Sequence, residues 1–424
     1  MRDRYTDATE IAAAVRSGRT LPSAIVESFL ATIAAKESTI HAFASFDPTL
    51  VRAHAKALWP ASLCKPLAGV PIGVKDVIDT SDYPTEFFSP IYRRNQPSRD
   101  AHVVSLLKQA GAIVMGKTHT TEFAYMHTGP TRNPLDLDRT PGSSSAGSAA
   151  GVAAGFFPLA LGTQTAGSLI KPASYCGLFA YKPSFGLVSL EGVKPLAPTF
   201  DTVGWLGRSI RDLGLLARVL IPNFDTNTHL QDGLRLAFCR MPGWNQVDKV
   251  VADSLGQAIN TLSGAGHVMT EISLPQEFAK VYAAHQVIND CEAARSLWKE
   301  YQAHPELLSR ETLGAIERAK STTWGAESTA MKDLARLAPI IEDILAPFDA
   351  VLTASTGIVA PLGLAKTGSS DFIKFWTAFG FPQINIPFVG DAGSLPIGIQ
   401  VIARKRCDQL LLGVSEKIHS DLVA

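Results

Sequence analysis

TPGSSSAGSAAGVAAGFFPLAL, residues 140–161, is the stretch on which the fold turns. Its first part is almost wholly Gly, Ser and Ala, a composition that in isolation reads as a flexible linker. Here it runs without a polar break into the apolar segment Phe156–Leu161. Small residues beside apolar ones are what two backbones need to approach closely inside a core. The stretch therefore belongs within a folded unit rather than between two. Within it stand Ser143, Ser144, Ser145 and Ser148, a cluster that also suits a turn and a helix N-cap.

Two neighbouring segments carry further candidates. Gly162–Ser168 (GTQTAGS) places small residues before a serine. Several backbone N–H groups can then face one point, as an oxyanion hole requires, although an ordinary loop after a strand reads the same way. Leu67–Ile78 (LAGVPIGVKDVI) is strand-like and apolar except for Lys75 and Asp76, with Asp79 just beyond it. A lysine there either snorkels out or pairs with one of those aspartates. If it is buried unpaired, it is held neutral and can accept a proton.

Farther out, residues 7–58 read as helices, with Ile25, Phe29, Leu30 and Ile33 on one face. A helix over 103–110 followed by a strand over 112–116 gives the alternation of an α/β sheet. Residues 276–345 are charged and helical, and read as peripheral helices without recognisable chemistry. Strand-like runs return at 350–353, 383–387 and 397–403, before a helix over 410–419. This order predicts that both halves share one sheet.

Composition narrows the function. Lys plus Arg and Asp plus Glu are each 39, so the basic excess of a nucleic-acid binder is missing. No apolar run is long enough to span a bilayer, and no dense basic block suggests a membrane surface. Cys64, Cys176, Cys239, Cys291 and Cys407 are scattered and odd in number, which argues against a disulfide framework or zinc site and for a reducing compartment. Met1–Glu10 lacks the apolar core of a signal peptide. The expectation is a cytoplasmic protein. G-x-S-x-G, the phosphate loop and H-E-x-x-H are all missing, so nothing calls for a metal or an organic cofactor.

Taken together, PLAGVPIGVKD (66–76), KTHTTEFA (117–124), TRNPLDLDRTPGSSSAGSAAGVAAG (131–155), LGTQTAGSLIKPASYCGLFAYKPSFG (161–186), FDTVGWLGRSIRDL (200–213) and LPIGIQVIA (395–403) resemble, in order, the segments of the amidase signature family. The resemblance implies an α/β fold: one domain over 1–424, with a large mixed β-sheet core flanked by helices on both faces. It implies Lys75 as the catalytic lysine and Ser168 as the nucleophile. TPGSSSAGS aligned on the family's T-P-G-G-S-S-S-G-S puts Ser144 at the bridging serine. The family's two serines lie 24 positions apart, as do Ser144 and Ser168. It also implies an oxyanion hole from the N–H groups of Thr165, Ala166, Gly167 and Ser168, and a cis peptide bond between Ser143 and Ser144.

The chain departs from that pattern at Ser143, Gln164 and Ala166. Gln164 stands where the family usually has Asp, and a neutral side chain there would help Lys75 stay neutral. With Ser143 and Gln164, the aromatic residues Tyr125, Trp376 and Phe379 are expected around the substrate from their position near matched segments. Core packing is an equal reading for each aromatic. The implied activity is hydrolysis of small amides or carbamates without a cofactor. Its partner is a small-molecule substrate, not nucleic acid or membrane, with a homodimer left open. The alternatives are the catalytic subunit of a tRNA-dependent amidotransferase and a catalytically silent binding protein on the same fold.

Overall fold

The computed structural model describes residues 7–60, 63–226, 228, 230–390 and 395–424. Residues 1–6 of the polar N-terminal stretch fall outside them. The described strands are β1 (Phe43–Ser45), β2 (Pro71–Lys75), β3 (Ile113–Thr118), β4 (Leu159–Gln164), β5 (Phe179–Lys182), β6 (Thr202–Gly207), β7 (Arg235–Arg240), β8 (Val268–Ser273), β9 (Ala350–Ala354), β10 (Gln383–Phe388) and β11 (Ile397–Ile402). They form one 11-stranded sheet in the order β1-β3-β2-β4-β6-β5-β10-β11-β9-β7-β8, flanked by helices. The sheet is mixed. β2 runs parallel to β3 and β4, whereas β5, β6, β10 and β11 pair antiparallel. The expected joining of the two halves occurs where β5 meets β10.

β2, β3 and β4 are buried along their whole length, and so lack the in–out alternation of a half-exposed strand. The Gly/Ser/Ala stretch supplies the helix Ala146–Ala154, and its small residues meet the expectation of close approach. A Cβ on Gly147 would lie 2.3 Å from the His119 nitrogen and 2.4 Å from the Ala42 oxygen. On Gly151 it would lie 2.2 Å from Phe157 Cζ. Ser148 Oγ donates to the Leu161 carbonyl at 2.8 Å and meets Thr118 Oγ1 at 2.7 Å. It thus ties this helix to β4 and β3.

The helix therefore presses flat against the sheet, and its N-terminal end brings Ser143–Ser145 to the carboxyl ends of β2 and β4. Parallel strands commonly present functional groups at that edge. Gly151→Ala should destabilise the protein by about 1–3 kcal/mol despite the better helix propensity of Ala, because the Phe157 ring must move. Chemical denaturation checks this; unchanged stability would mean that the close packing is not required.

Candidate active site

Lys75 ends β2 and is completely buried. Its Nζ donates to Ser144 Oγ at 2.7 Å and to Thr163 Oγ1 at 2.7 Å, with the Thr163 carbonyl at 3.5 Å. Every one of these partners is neutral. Asp76, the obvious counter-ion in the sequence, instead pairs with Lys117 at 3.1 Å. Burial holds the Lys75 ammonium well below the ordinary lysine range, against the opposing charge of Asp201. Asp201 is itself buried and pushed up to about 6 by desolvation. Its carboxylate is held by Thr165 Oγ1 at 2.5 Å and by the N–H groups of Leu196 and Ala197 at 2.8 and 3.0 Å. A neutral amine beside a serine hydroxyl can take that hydroxyl's proton.

β4 leads into the turn Thr165–Ser168. Ser168 is half-buried, and its Oγ accepts from Ser143 Oγ at 3.3 Å. Among the described residues the Ala166, Gly167 and Ser168 N–H groups have no protein acceptor. Gly167 is needed for close approach: a Cβ there would lie 2.9 Å from Ser370 Cβ. Among the described residues the cis peptide bond is Trp59–Pro60, so the Ser143–Ser144 bond expected to be cis is trans. Trans is lower in energy for a non-proline residue by about 3–4 kcal/mol. The two serine hydroxyls consequently divide their partners. Ser144 meets Lys75 and Ser143 meets Ser168, without a hydrogen bond between Ser144 and Ser168.

A cavity of about 230 Å³ opens over this turn. Ser143 and Thr165–Ser168 form its floor. Tyr125, Lys171, His285, Asp371 and Lys374 are among its walls. His285 Nε2 donates to the Thr165 carbonyl at 2.9 Å, and its ring stacks on Phe200. Burial pulls its pKa down to about 4, so the ring is neutral near pH 7. Tyr125 Oη donates to Asp290 at 3.1 Å and accepts from Arg318 at 2.8 Å.

The family model described as Amidase matches residues 24–412. The chain belongs to the amidase family. It is 30% identical to a glutamyl-tRNA(Gln) amidotransferase subunit from Carboxydothermus hydrogenoformans, over 84% of each chain. To the protein of the same name in Lachnospira eligens it is 29% identical, over 94% of each. Among solved structures, one from work on a vestigial protein complex and the origins of an s-triazine catabolic enzyme superposes with a TM-score of 0.88, at 26% identity over 98% of both chains. Native peptide amidase from Stenotrophomonas maltophilia superposes at 0.86 over 100% of this chain and 98% of its own, but at 24% identity it speaks for the fold alone.

In this member of the amidase family, Lys75, Ser144, Ser143, Ser168 and Tyr125 gather at one edge of the sheet, but not all the residues expected around the substrate join them. Gln164 lies outside the cavity lining. Its Oε1 accepts from the Leu169 and Ile170 N–H groups at 3.0 Å each, and its Nε2 donates to Thr377 and Gln383. It satisfies the start of the helix Ile170–Cys176, and the carboxylate that acts on Lys75 is Asp201. Trp376 and Phe379 pack in the second apolar core with Phe375 and Phe381. They sit on the side of the Asp371–Ala378 helix region that faces the core, so the core reading holds for both.

Residues 276–345 are not merely peripheral either. The helix Lys280–Ser296 brings His285, Gln286 and Asn289 to the cavity. A histidine or asparagine in a helix carries no local signal of this, whereas Asp201 lay within a matched segment and was open to notice.

The depressed Lys75 pKa fixes a sign. Between its folded value and 10.5 the unfolded chain binds the extra proton. Wild-type stability should therefore rise with pH through that window relative to Lys75→Met, which lacks the group. Thermal melts of both proteins from about pH 7 to 10 check this. A difference that stays constant with pH would mean that Lys75 keeps an ordinary pKa.

Proposed function

We propose that this chain hydrolyses the C–N bond of an amide through an acyl-enzyme on Ser168. The observation that carries the proposal is the buried Lys75 amine, 2.7 Å from Ser144 Oγ and hydrogen-bonded only to neutral acceptors. Neutral Lys75 takes a proton from Ser144, and Ser144 takes one from Ser168. Ser168 Oγ then bonds to the carbonyl carbon. The developing oxyanion sits against the Thr165, Ala166, Gly167 and Ser168 N–H groups. As the C–N bond breaks, the proton returns through Ser144 to the departing nitrogen, which is a poor leaving group until protonated. Water releases the acyl group in a second round.

Ser143 Oγ donates to Ser168 Oγ at 3.3 Å. The relay requires Ser144 Oγ within hydrogen-bond reach of Ser168 Oγ, and catalytic hydrogen bonds are commonly long until the reacting complex forms. Small amides and carbamates share this chemistry, and on this reading the enzyme acts alone or as a homodimer on a small molecule, in the cytoplasm. All five of its cysteines are free, and no helix among the described residues is long and apolar enough to cross a membrane.

The names of the two relatives favour a second reading over small-amide hydrolysis: one component of a glutamyl-tRNA(Gln) amidotransferase. The same serine would then act on glutamine within a larger assembly. Co-purification with partner chains and turnover that depends on ATP and tRNA support this reading. Turnover of alkyl amides, aryl amides or carbamates by the chain alone supports the first.

Both readings require the serine chemistry. A fluorophosphonate should label wild type on Ser168, and Ser168→Ala should not label. Ser144→Ala and Lys75→Ala should each lose about 100-fold or more in kcat/KM, and Ser143→Ala much less. Because the neutral amine is the working form, kcat/KM should climb with pH through the depressed Lys75 value and level off below 10.5. Labelling that survives Ser168→Ala would refute the assignment, and a complete lack of labelling would favour a silent binding protein.

A further inference from the structure

Four lysines are buried outright: Lys75, Lys117, Lys171 and Lys182. Lys75 belongs to the proposed relay, and Lys117 is paired with Asp76. Lys182 donates to the Pro183 carbonyl and does not line the cavity over Ser168. Lys171 is different. It is 2% exposed, yet it lines the same cavity as Ser168, one helical turn earlier in the chain. Its Nζ donates to the Gly368 carbonyl at 2.7 Å and sits 3.5 Å from Thr367 Oγ1. Among the described residues it forms no ion pair. The one carboxylate nearby on the cavity wall, Asp371, is held by Lys374 at 3.0 Å.

This placement is costly in two ways. The ammonium is taken out of water with no carboxylate in contact, and the one charge that favours it, Asp371, is already shared with Lys374. It also sits in the first turn of the helix Ile170–Cys176, where the aligned peptide dipoles disfavour a cation. Burial and the neighbouring Lys374 pull its pKa down to about 7. An anion entering the cavity would reverse that balance. With Lys374 and Asp371 offsetting each other, a protonated Lys171 leaves one unmatched positive charge on the wall. The neutral His285 ring adds none, and among the described residues its Nδ1 is a buried acceptor without a partner.

We propose that Lys171 binds a carboxylate carried by the substrate, so that the cavity takes an amide bearing an anionic group rather than a neutral one. This rests on the serine-hydrolase reading above and narrows its substrate class. A glutamine-type amino acid amide and a simple dicarboxylic monoamide both present this chemistry. The bland role for Lys171, pinning the Thr367–Gly368 segment, would affect charged and neutral substrates alike.

The test compares matched pairs on the full-length protein: succinamate with succinamide, glutaramate with glutaramide, and L-glutamine with its α-carboxamide. In wild type the carboxylate member of at least one pair should be preferred by about 10- to 100-fold in kcat/KM, mainly through KM. Lys171→Met should bring that ratio close to one, and Lys171→Arg should restore part of it. The pair that responds tells a dicarboxylic monoamide from an amino acid amide. Should the variants fail to fold, the wild-type ratios, with protection of Ser168 from fluorophosphonate by succinate or glutarate, decide alone. Equal use of both members, or a ratio unaltered in Lys171→Met, overturns the proposal. If Ser168 labels but shows no carboxylate preference, this inference alone fails; if Ser168 does not label, the serine reading fails and takes this one with it.

Discussion

Removing one ammonium group from water sets the terms for the rest of the site. Lys75 stands at the end of a strand buried on both faces, with hydroxyls and a carbonyl around it and no carboxylate in contact. Two forces compete there. Desolvation favours the neutral amine, while the Asp201 charge favours the ammonium, and desolvation is the larger. The fold keeps the nearest acids occupied: Asp76 is bound by Lys117, and Asp201 is tied to Thr165 and two backbone N–H groups. An amine kept neutral in this way is available as a base at ordinary pH.

Such burial needs a sheet edge with no room for water, and the small residues of 142–167 provide it. Gly147 and Gly151 let one helix lie against β3 and the Phe157 ring, and Gly167 lets the Thr165–Ser168 turn tuck under Ser370. Backbone approach, more than side-chain packing, therefore brings Ser144 to Lys75 and opens Ser168 to the cavity. Gln164 performs a quieter task nearby, bonding two N–H groups at the start of the next helix that close packing would otherwise leave unsatisfied. Ser148 adds a bond from its helix to the Leu161 carbonyl.

What could be read in the sequence follows the same physics. Leu67–Ile78 announced a buried strand because it is apolar but for Lys75 and Asp76, and the Gly/Ser/Ala stretch, running into apolar Phe156–Leu161, announced close approach because its bulk is missing. Lys75, Ser144 and Ser168 emerged from the ordered resemblance. β8 (VMTEIS) did not, because it lies at the sheet edge and is largely exposed, so its pattern resembles any polar segment. Whether Ser143 or Ser144 faces Ser168 depends on the orientation of one peptide bond, which residue types do not encode. Trp376 and Phe379 were placed near the substrate from their sequence neighbourhood, but the direction of an aromatic ring is set by which helix face meets the core. His285 and Lys171 needed the assembled cavity: each is an ordinary residue in a helix until the opposite wall is known.

Whether burial keeps Lys75 neutral can be measured directly. Titrating the Nζ and Cε resonances of isotope-labelled lysines by NMR, with the Lys75 signal assigned by its loss in Lys75→Met, reads the protonation state without reference to substrate. Lys75 should titrate well below the 10.5 of an ordinary lysine. A Lys75 that stays an ammonium up to that pH would contradict the neutral-base mechanism.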